Sequence, residues 1–359
     1  MRDNLRLYHM MFRQLRHWLP GERVTRQRNL ALLVVGLFLA GSVHLPLIGR
    51  KLPGSAKKWS RATRLRRFLG NPGVTVRTYY EPLLTSLLRA VVGQQLVLIV
   101  DMTVVGPWHR ALVVAMAYRG RALPLAWSVH RGTRGNLPIR ATLTLLDYLY
   151  QLLPFGLEVT LLGDGDFRSS DLLRWLQQRE WHYVIHQRGQ VTVQLVGRSE
   201  WVALSQIPIQ EGETQALGWL WIAKTNPFGP TWLLLHWAKG EEEPWLLVSD
   251  RADAPTVLRL YRKRSYIEAM FGDMKQRGFD LEKTRLARPE RIERLLLAIA
   301  MAYVWLMALG SWVVKNGYRR HIDRPDRRDL SYFRLGWDWI DDCFSRGSPL
   351  HLRFIPYYL

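Results

Sequence analysis

The chain has 359 residues, 48% of them hydrophobic, which is ample for a buried core and excludes a globally disordered chain. Its 51 Lys+Arg against 30 Asp+Glu give a formal charge of +21, so a polyanionic partner is expected, nucleic acid ahead of an anionic membrane. One cysteine, Cys343, excludes an intrachain disulfide and a thiolate zinc cluster.

Residues 1–90 read as a basic, mainly helical region suited to DNA. Cations cluster at 23–28 and 51–67, and the second cluster includes Trp59 and Phe68. Cations of this kind hold phosphates while aromatic side chains anchor the helix to the body. The apolar run 30–43 follows a basic segment, in the outline of a signal peptide. It lies deep for one and no clean cleavage pattern follows, so a core helix is expected. Asn71-Pro72-Gly73 marks a boundary. No helix-turn-helix signature stands out.

From residue 96 the period changes. LVLIVDMT, ALVVAMAYRG and LPLAWSVH are apolar, β-branched runs with Gly or Pro breaks, expected as three antiparallel strands. A helix over about 139–153, the strand LEVTLLGD, a helix over 169–179 and a strand over 183–187 follow. Three strands, helix, strand, helix, strand is the order of a ribonuclease H-like mixed α/β core, here over 91–187. Residues 188–250 carry four further strand-like runs and read as a β-rich insertion. Trp201, Trp219, Trp221, Trp232, Trp237 and Trp245 fall there, and most are expected in the core. His182 and His186 share a face but have no evident partners for a metal pair.

Two acids contradict their apolar surroundings. Asp101 lies inside the first strand between Val100 and Met102, and Asp164 ends the fourth. Buried charge is costly unless it is paired or bound to a metal. Asp166 is a rival to Asp164, because residues two apart face the same way on a strand.

Residues 261–275, YRKRSYIEAMFGDMK, read as one helix within a region 251–315 that completes the core. With Tyr261 at 0° and about 100° per residue, Arg264 falls near 300°, Lys275 near 320° and Glu268 near 340°. A carboxylate flanked by cations and a phenol thus shares one arc. Asp273, near about 120°, lies off that arc and is a weaker rival to Glu268. Arg264 and Glu268 alone would read as an ordinary i,i+4 salt bridge, which leaves Tyr261 and Lys275 unexplained. Asp101, Asp164 and Glu268 together offer hard oxygen donors, suited to two Mg²⁺ or Mn²⁺ ions.

Residues 295–314 are apolar over a length able to span a bilayer. Tyr303, Gly310, Ser311 and two tryptophans within the run favour a buried core helix. Lys283, Arg285, Arg288 and Arg291 could follow flanking DNA, and in the C-terminal tail 316–359 the basic, Asp-rich stretch 319–328 reads as a surface or multimer contact.

The pattern Tyr-x2-Arg-x3-Glu-x6-Lys, met at every spacing by Tyr261, Arg264, Glu268 and Lys275, resembles the signature of DDE transposases of the insertion-sequence-4 family. IVDMT resembles that family's first-acid strand and LLGDGDF its second-acid segment, so the resemblance covers about 96–315. Gly165 and Asp166 depart from it, since the family usually has a basic residue and Gly after the second acid. The resemblance implies a ribonuclease H-like fold with a β-rich insertion before the last catalytic helix. It implies Asp101, Asp164 and Glu268 as metal ligands, and Tyr261, Arg264 and Lys275 on transposon-end phosphates. It further implies cut-and-paste transposition, terminal inverted repeats and target DNA as partners, and a homodimer on paired ends. A Trp of the insertion that stacks on an extruded base belongs to the same expectation, as do a cytoplasmic, nucleoid-associated location and no membrane. A ribonuclease H-like nuclease, a domesticated DNA-binding relative and a basic membrane protein are the alternatives.

Overall fold

The computed structural model describes residues 3–357. The chain begins with five helices: α1 (Asp3–Trp18), α2 (Val24–Ala40), α3 (Leu45–Lys51), α4 (Lys58–Leu69) and α5 (Val76–Ala90). From Leu30 to Phe38 every side chain of α2 is buried, as an all-round apolar helix requires. Gly41 closes it in the left-handed conformation and donates to Leu37 O, after which α3 turns away by 93°.

Three strands follow, β1 (Leu96–Val105), β2 (His109–Tyr118) and β3 (Arg121–Arg131), then α6 (Ile139–Leu152), β4 (Val159–Gly163), α7 (Ser170–Gln178) and β5 (His182–His186). β1, β2 and β3 pair antiparallel, while β4 lies parallel to β1 and β5 parallel to β4. The order β3-β2-β1-β4-β5 is the ribonuclease H-like sheet. Val, Ile and Leu dominate β1 because it lies between β2 and β4 and its first five residues are buried.

The strands of 188–250 continue that sheet. They are β6 (Thr192–Leu195), β7 (Val202–Ala203), β8 (Thr214–Ile222), β9 (Phe228–His236) and β10 (Trp245–Ser249). β10 pairs antiparallel with β5, and β9, β8, β6 and β7 follow outward to make one ten-stranded sheet. The outer strands leave one face uncovered, and this corrects the expectation for the tryptophans. Only Trp232 of the six is buried, whereas Trp219 and Trp221 are exposed.

The remaining helices are α8 (Ala254–Tyr261), α9 (Ser265–Met274), α10 (Pro289–Lys315) and α11 (Tyr332–Arg346). α9 packs across β1, β2 and β3, and α10 packs on β3, α2, α5 and α11. The most apolar window of α10 is 89% buried inside the protein, which is the core-helix arrangement expected for 295–314. α10 and α11 cross where Gly310 faces the carbonyl of Tyr332 and Gly336 that of Leu306, with no room for a Cβ on either. Alternation along β1 separates the two helical layers. Met102 lines a cavity with Ile139 and Thr142 of α6, and Asp101, pointing the other way, meets Arg264 beside α9.

Candidate active site

The parallel register pairs Val100 with Gly163, so Asp101 of β1 and Asp164, the first residue past the end of β4, follow that pair side by side. A Cβ on Gly163 would crowd Phe167 and Ile185 at 3.1 and 3.2 Å, so glycine lets the chain leave β4 tightly. Asp164 then caps the short turn Gly165–Phe167, accepting from Asp166 N at 2.9 Å. This turn also separates the two rival acids. Because β4 ends at Gly163, Asp164 and Asp166 do not share a strand face, and Asp166 is ion-paired with Arg188.

Helix 261–275 is less regular than its sequence suggests. α8 ends at Tyr261, residues Arg262–Arg264 form a 3₁₀ turn, and α9 runs from Ser265 to Met274. Tyr261, Arg262, Arg264 and Ser265 keep right-handed helical dihedrals, so the backbone stays helical through the junction while the turn tightens. In a 3₁₀ turn residues three apart eclipse, which brings Arg264 over Tyr261 more directly than an α-helix would. Lys275 leaves the helix, with ψ −119°, and its ammonium pairs with Glu282 at 2.7 Å. Lys275 therefore does not join the arginine's ion pairs.

Arg264 is the hub. Its guanidinium bonds to Glu268 and stands 3.8 Å from Asp101. Burial opposes its charge, but Tyr261, Glu268 and Asp101 outweigh that and push its pKa further up. Tyr261 is buried and packs edge-on against Trp245 at 4.9 Å, with the His186 ring 6.1 Å away. Asp273 is removed from consideration as an acid of this site. It is buried in the core, accepting from Arg121 Nε at 2.5 Å and from Arg277 Nε at 3.0 Å.

The electrostatics mark the two strand acids. Burial, then the charge of Asp164, push the Asp101 carboxyl up to about 7. Burial also raises Asp164, against the pull of Arg264 and His186. Glu268 is half exposed and adds to the repulsion at Asp101. As the side chains stand, Arg264 takes up the acids' charge, and no three His, Cys, Asp or Glu among the described residues gather into a metal cage. The donor set nevertheless fits a divalent cation. It is all oxygen, and the partly buried Asp101 carboxylate, which accepts from Met102 N at 2.6 Å, has the Arg264 cation no nearer than 3.8 Å.

His186 was not singled out as part of this site by its sequence. It ends β5 beside Asp164, and burial lowers its pKa. Its Nε2 is buried with no hydrogen-bond partner among the described residues. His186, Asp164, Tyr261, Arg264 and Trp245 line an open groove of about 1200 Å³, whose other wall includes Glu241–Glu243. No motif could have flagged His186, since only the β4–β5 register brings it there. His182, at the opposite end of β5, is bonded to Asp250 at 2.6 Å.

A family model for the transposase DDE domain matches residues 94–305, more than half of the chain. The chain belongs to the DDE transposase family. Such enzymes cut and join DNA strands, so the protein is a DNA transposase that uses divalent metal ions. No curated protein matches the chain. Among solved structures it is similar to a piggyBac transposase synaptic complex with hairpin DNA seen by cryo-EM, at 11% identity and a TM-score of 0.48, over 100% of this chain and 86% of that one.

Proposed function

We propose that this DDE transposase is of the insertion-sequence-4 type and moves its element by cutting at both ends and joining them to a target. Asp101, Asp164 and Glu268 are the acids that hold two Mg²⁺ or Mn²⁺ ions. The observation that carries this is that Asp101 of β1 and Asp164, directly after β4, follow paired residues of neighbouring parallel strands, both partly buried, with Arg264 bonded to Glu268 and 3.8 Å from Asp101. Bound there, divalent ions supply Lewis acidity and an activated oxygen nucleophile for in-line phosphoryl transfer.

The chain's own residues do the rest. The Arg264 guanidinium, turned from the acids to a DNA phosphate, neutralises charge that develops around the scissile phosphorus. Tyr261, wedged against Trp245, offers a hydroxyl to the same strand, and Lys275 holds a phosphate further along. Residues 1–90 form a DNA-binding region and 316–359 a terminal segment on the core. The strands of 188–250 wall the groove beside the acids, where the partly exposed Trp237 can stack on an unpaired base. The protein works as a homodimer on paired terminal repeats, in the cytoplasm at the nucleoid.

Divalent-dependent cleavage of a duplex carrying the element's flanking ends, for wild type and Glu268→Ala, tests this reading. The expected result is cutting at the boundary that falls by more than about 10³-fold in Glu268→Ala while DNA binding persists. Unchanged cutting by Glu268→Ala would remove that residue from the site. Binding without any cutting by wild type would mark an inactive copy.

A further inference from the structure

We infer that α4 is the helix with which this transposase reads base sequence, lying in the major groove of double-stranded DNA. Ser60, Thr63 and Arg67 form its base-reading column. This deepens the DNA-binding proposal for residues 1–90 and rests on it for the partner's class.

The first observation is charge. Between Glu22 and Glu81 the sequence contains no Asp or Glu, while twelve lysines and arginines fall between Arg23 and Arg77. α4 lies in the middle of that acid-free stretch. A surface of one sign is solvated at the expense of self-repulsion and fits a polyanion.

The second is how α4 is mounted. Ala62, Leu65, Phe68 and Leu69 are its buried side, packed on α2, α3 and α10. α3 and α4 are so close that a Cβ on Gly49 would stand 2.7 Å from the carbonyl of Lys58. Arg61 staples the intervening turn, donating to the carbonyls of Gly49 at 3.2 Å and Leu52 at 2.6 Å. Arg61 is thereby committed to structure. Arg294 of α10 donates to Leu69 O at 3.0 Å and to Val74 O at 2.9 Å, fixing the far end of α4 to the core helix. The helix is rigidly held and its outer side is left to solvent.

The third is what that outer side carries. Trp59, Ser60, Thr63, Arg64, Arg66 and Arg67 are exposed. At about 100° per residue, Ser60, Thr63 and Arg67 fall within about 60° of one another at its centre. Arg66 flanks them on one edge and Arg64 on the other, the latter held by Asn29 Oδ1 at 2.6 Å. An α-helix fits the major groove, where a central Arg can take guanine O6 and N7 with both arms of its fork and hydroxyls can take either kind of edge. Flanking arginines at the groove walls meet the phosphates, which set register without reading sequence. Trp59 is 60% exposed, an aromatic side chain at the end of the helix that enters the groove first.

The test uses the full-length protein and a duplex library with a randomised core, so the element's repeats need not be known. Wild type is expected to enrich a defined motif. Arg67→Lys keeps the charge but loses the two-armed fork, so it is expected to bind with an unchanged salt slope while discrimination at one base pair falls about tenfold or more. Arg66→Ala is expected to weaken all sequences alike and to reduce the salt slope by about one. Both side chains are exposed, so neither substitution removes a core contact. Enrichment of no motif by wild type, or an identical motif with full discrimination from Arg67→Lys, overturns the inference. The metal-site proposal fails separately, by cutting that survives Glu268→Ala, and that result leaves the motif selection untouched.

Discussion

At Asp101 two unfavourable effects meet, burial and the facing charge of Asp164, and together they bring its carboxyl to about 7 from an ordinary 3.8. The folded state therefore binds this proton more tightly than the unfolded one. The resulting stabilisation of the metal-free protein is complete below about pH 4 and is lost as pH rises through about 7. Asp101→Asn keeps the shape without the charge. It is expected to raise the stability of the metal-free protein at pH 8 by on the order of 2–4 kcal/mol, with almost no gain at pH 4. Urea unfolding at the two pH values measures this, and equal stability of Asp101→Asn and wild type at pH 8 would show that the charge is compensated by other means. The same substitution should abolish the stabilisation that added Mg²⁺ gives to wild type.

The α9 element owes its position to both ends. At its start Arg264 engages Glu268 and approaches Asp101, and near its finish Asp273 is buried between Arg121 of β3 and Arg277. Removing one partner of a buried charge pair leaves the other uncompensated. Asp273→Ala is thus expected to cost about 3–5 kcal/mol and to lower the melting temperature, while Glu268→Ala, at a half-exposed position, leaves it nearly unchanged. Comparable melting temperatures for the two variants would mean that Asp273 does not anchor α9. Asp273 also explains why the sequence allowed a rival to Glu268. Both acids lie on one helix, whose spacing already sets them on different faces, and the sheet beneath decides which face is anchored.

Across the whole molecule the net charge of +21 is unevenly spread, with its longest acid-free stretch in the N-terminal helices. Binding to duplex DNA of arbitrary sequence is expected to depend steeply on salt, with log Kd against log salt rising with a slope of about 5 or more if six or more phosphates are neutralised. Titrations across a salt series check this, and a slope near one would confine the DNA contacts to the catalytic groove. The mounting of α4 on α10 bears on the same scale, since a helix packed on the core helix holds its exposed face at a constant distance from the candidate acids.

The strand and helix order of residues 96–187 was legible in the sequence because each element there is long, strongly patterned and bounded by Gly or Pro. Asp101 and Asp164 stood out as candidates for the opposite reason, as charges that break an apolar pattern, and Tyr261, Arg264 and Glu268 did so because a helix turns spacing into a shared face. The sequence alone also determined the charge and hence the class of partner. Tertiary structure decided what depends on neighbours distant in sequence. The β10–β5 pairing makes the 188–250 strands part of one sheet and leaves Trp219 and Trp221 outside the core. The turn after β4 separates Asp164 from Asp166, Arg188 pairs with Asp166, and Arg121 holds Asp273 in the core. The chain's exit from the helix at Lys275 hands that lysine to Glu282. Hydrophobic periodicity records which way a side chain faces within its own element, but pairing energies between elements decide what it meets there.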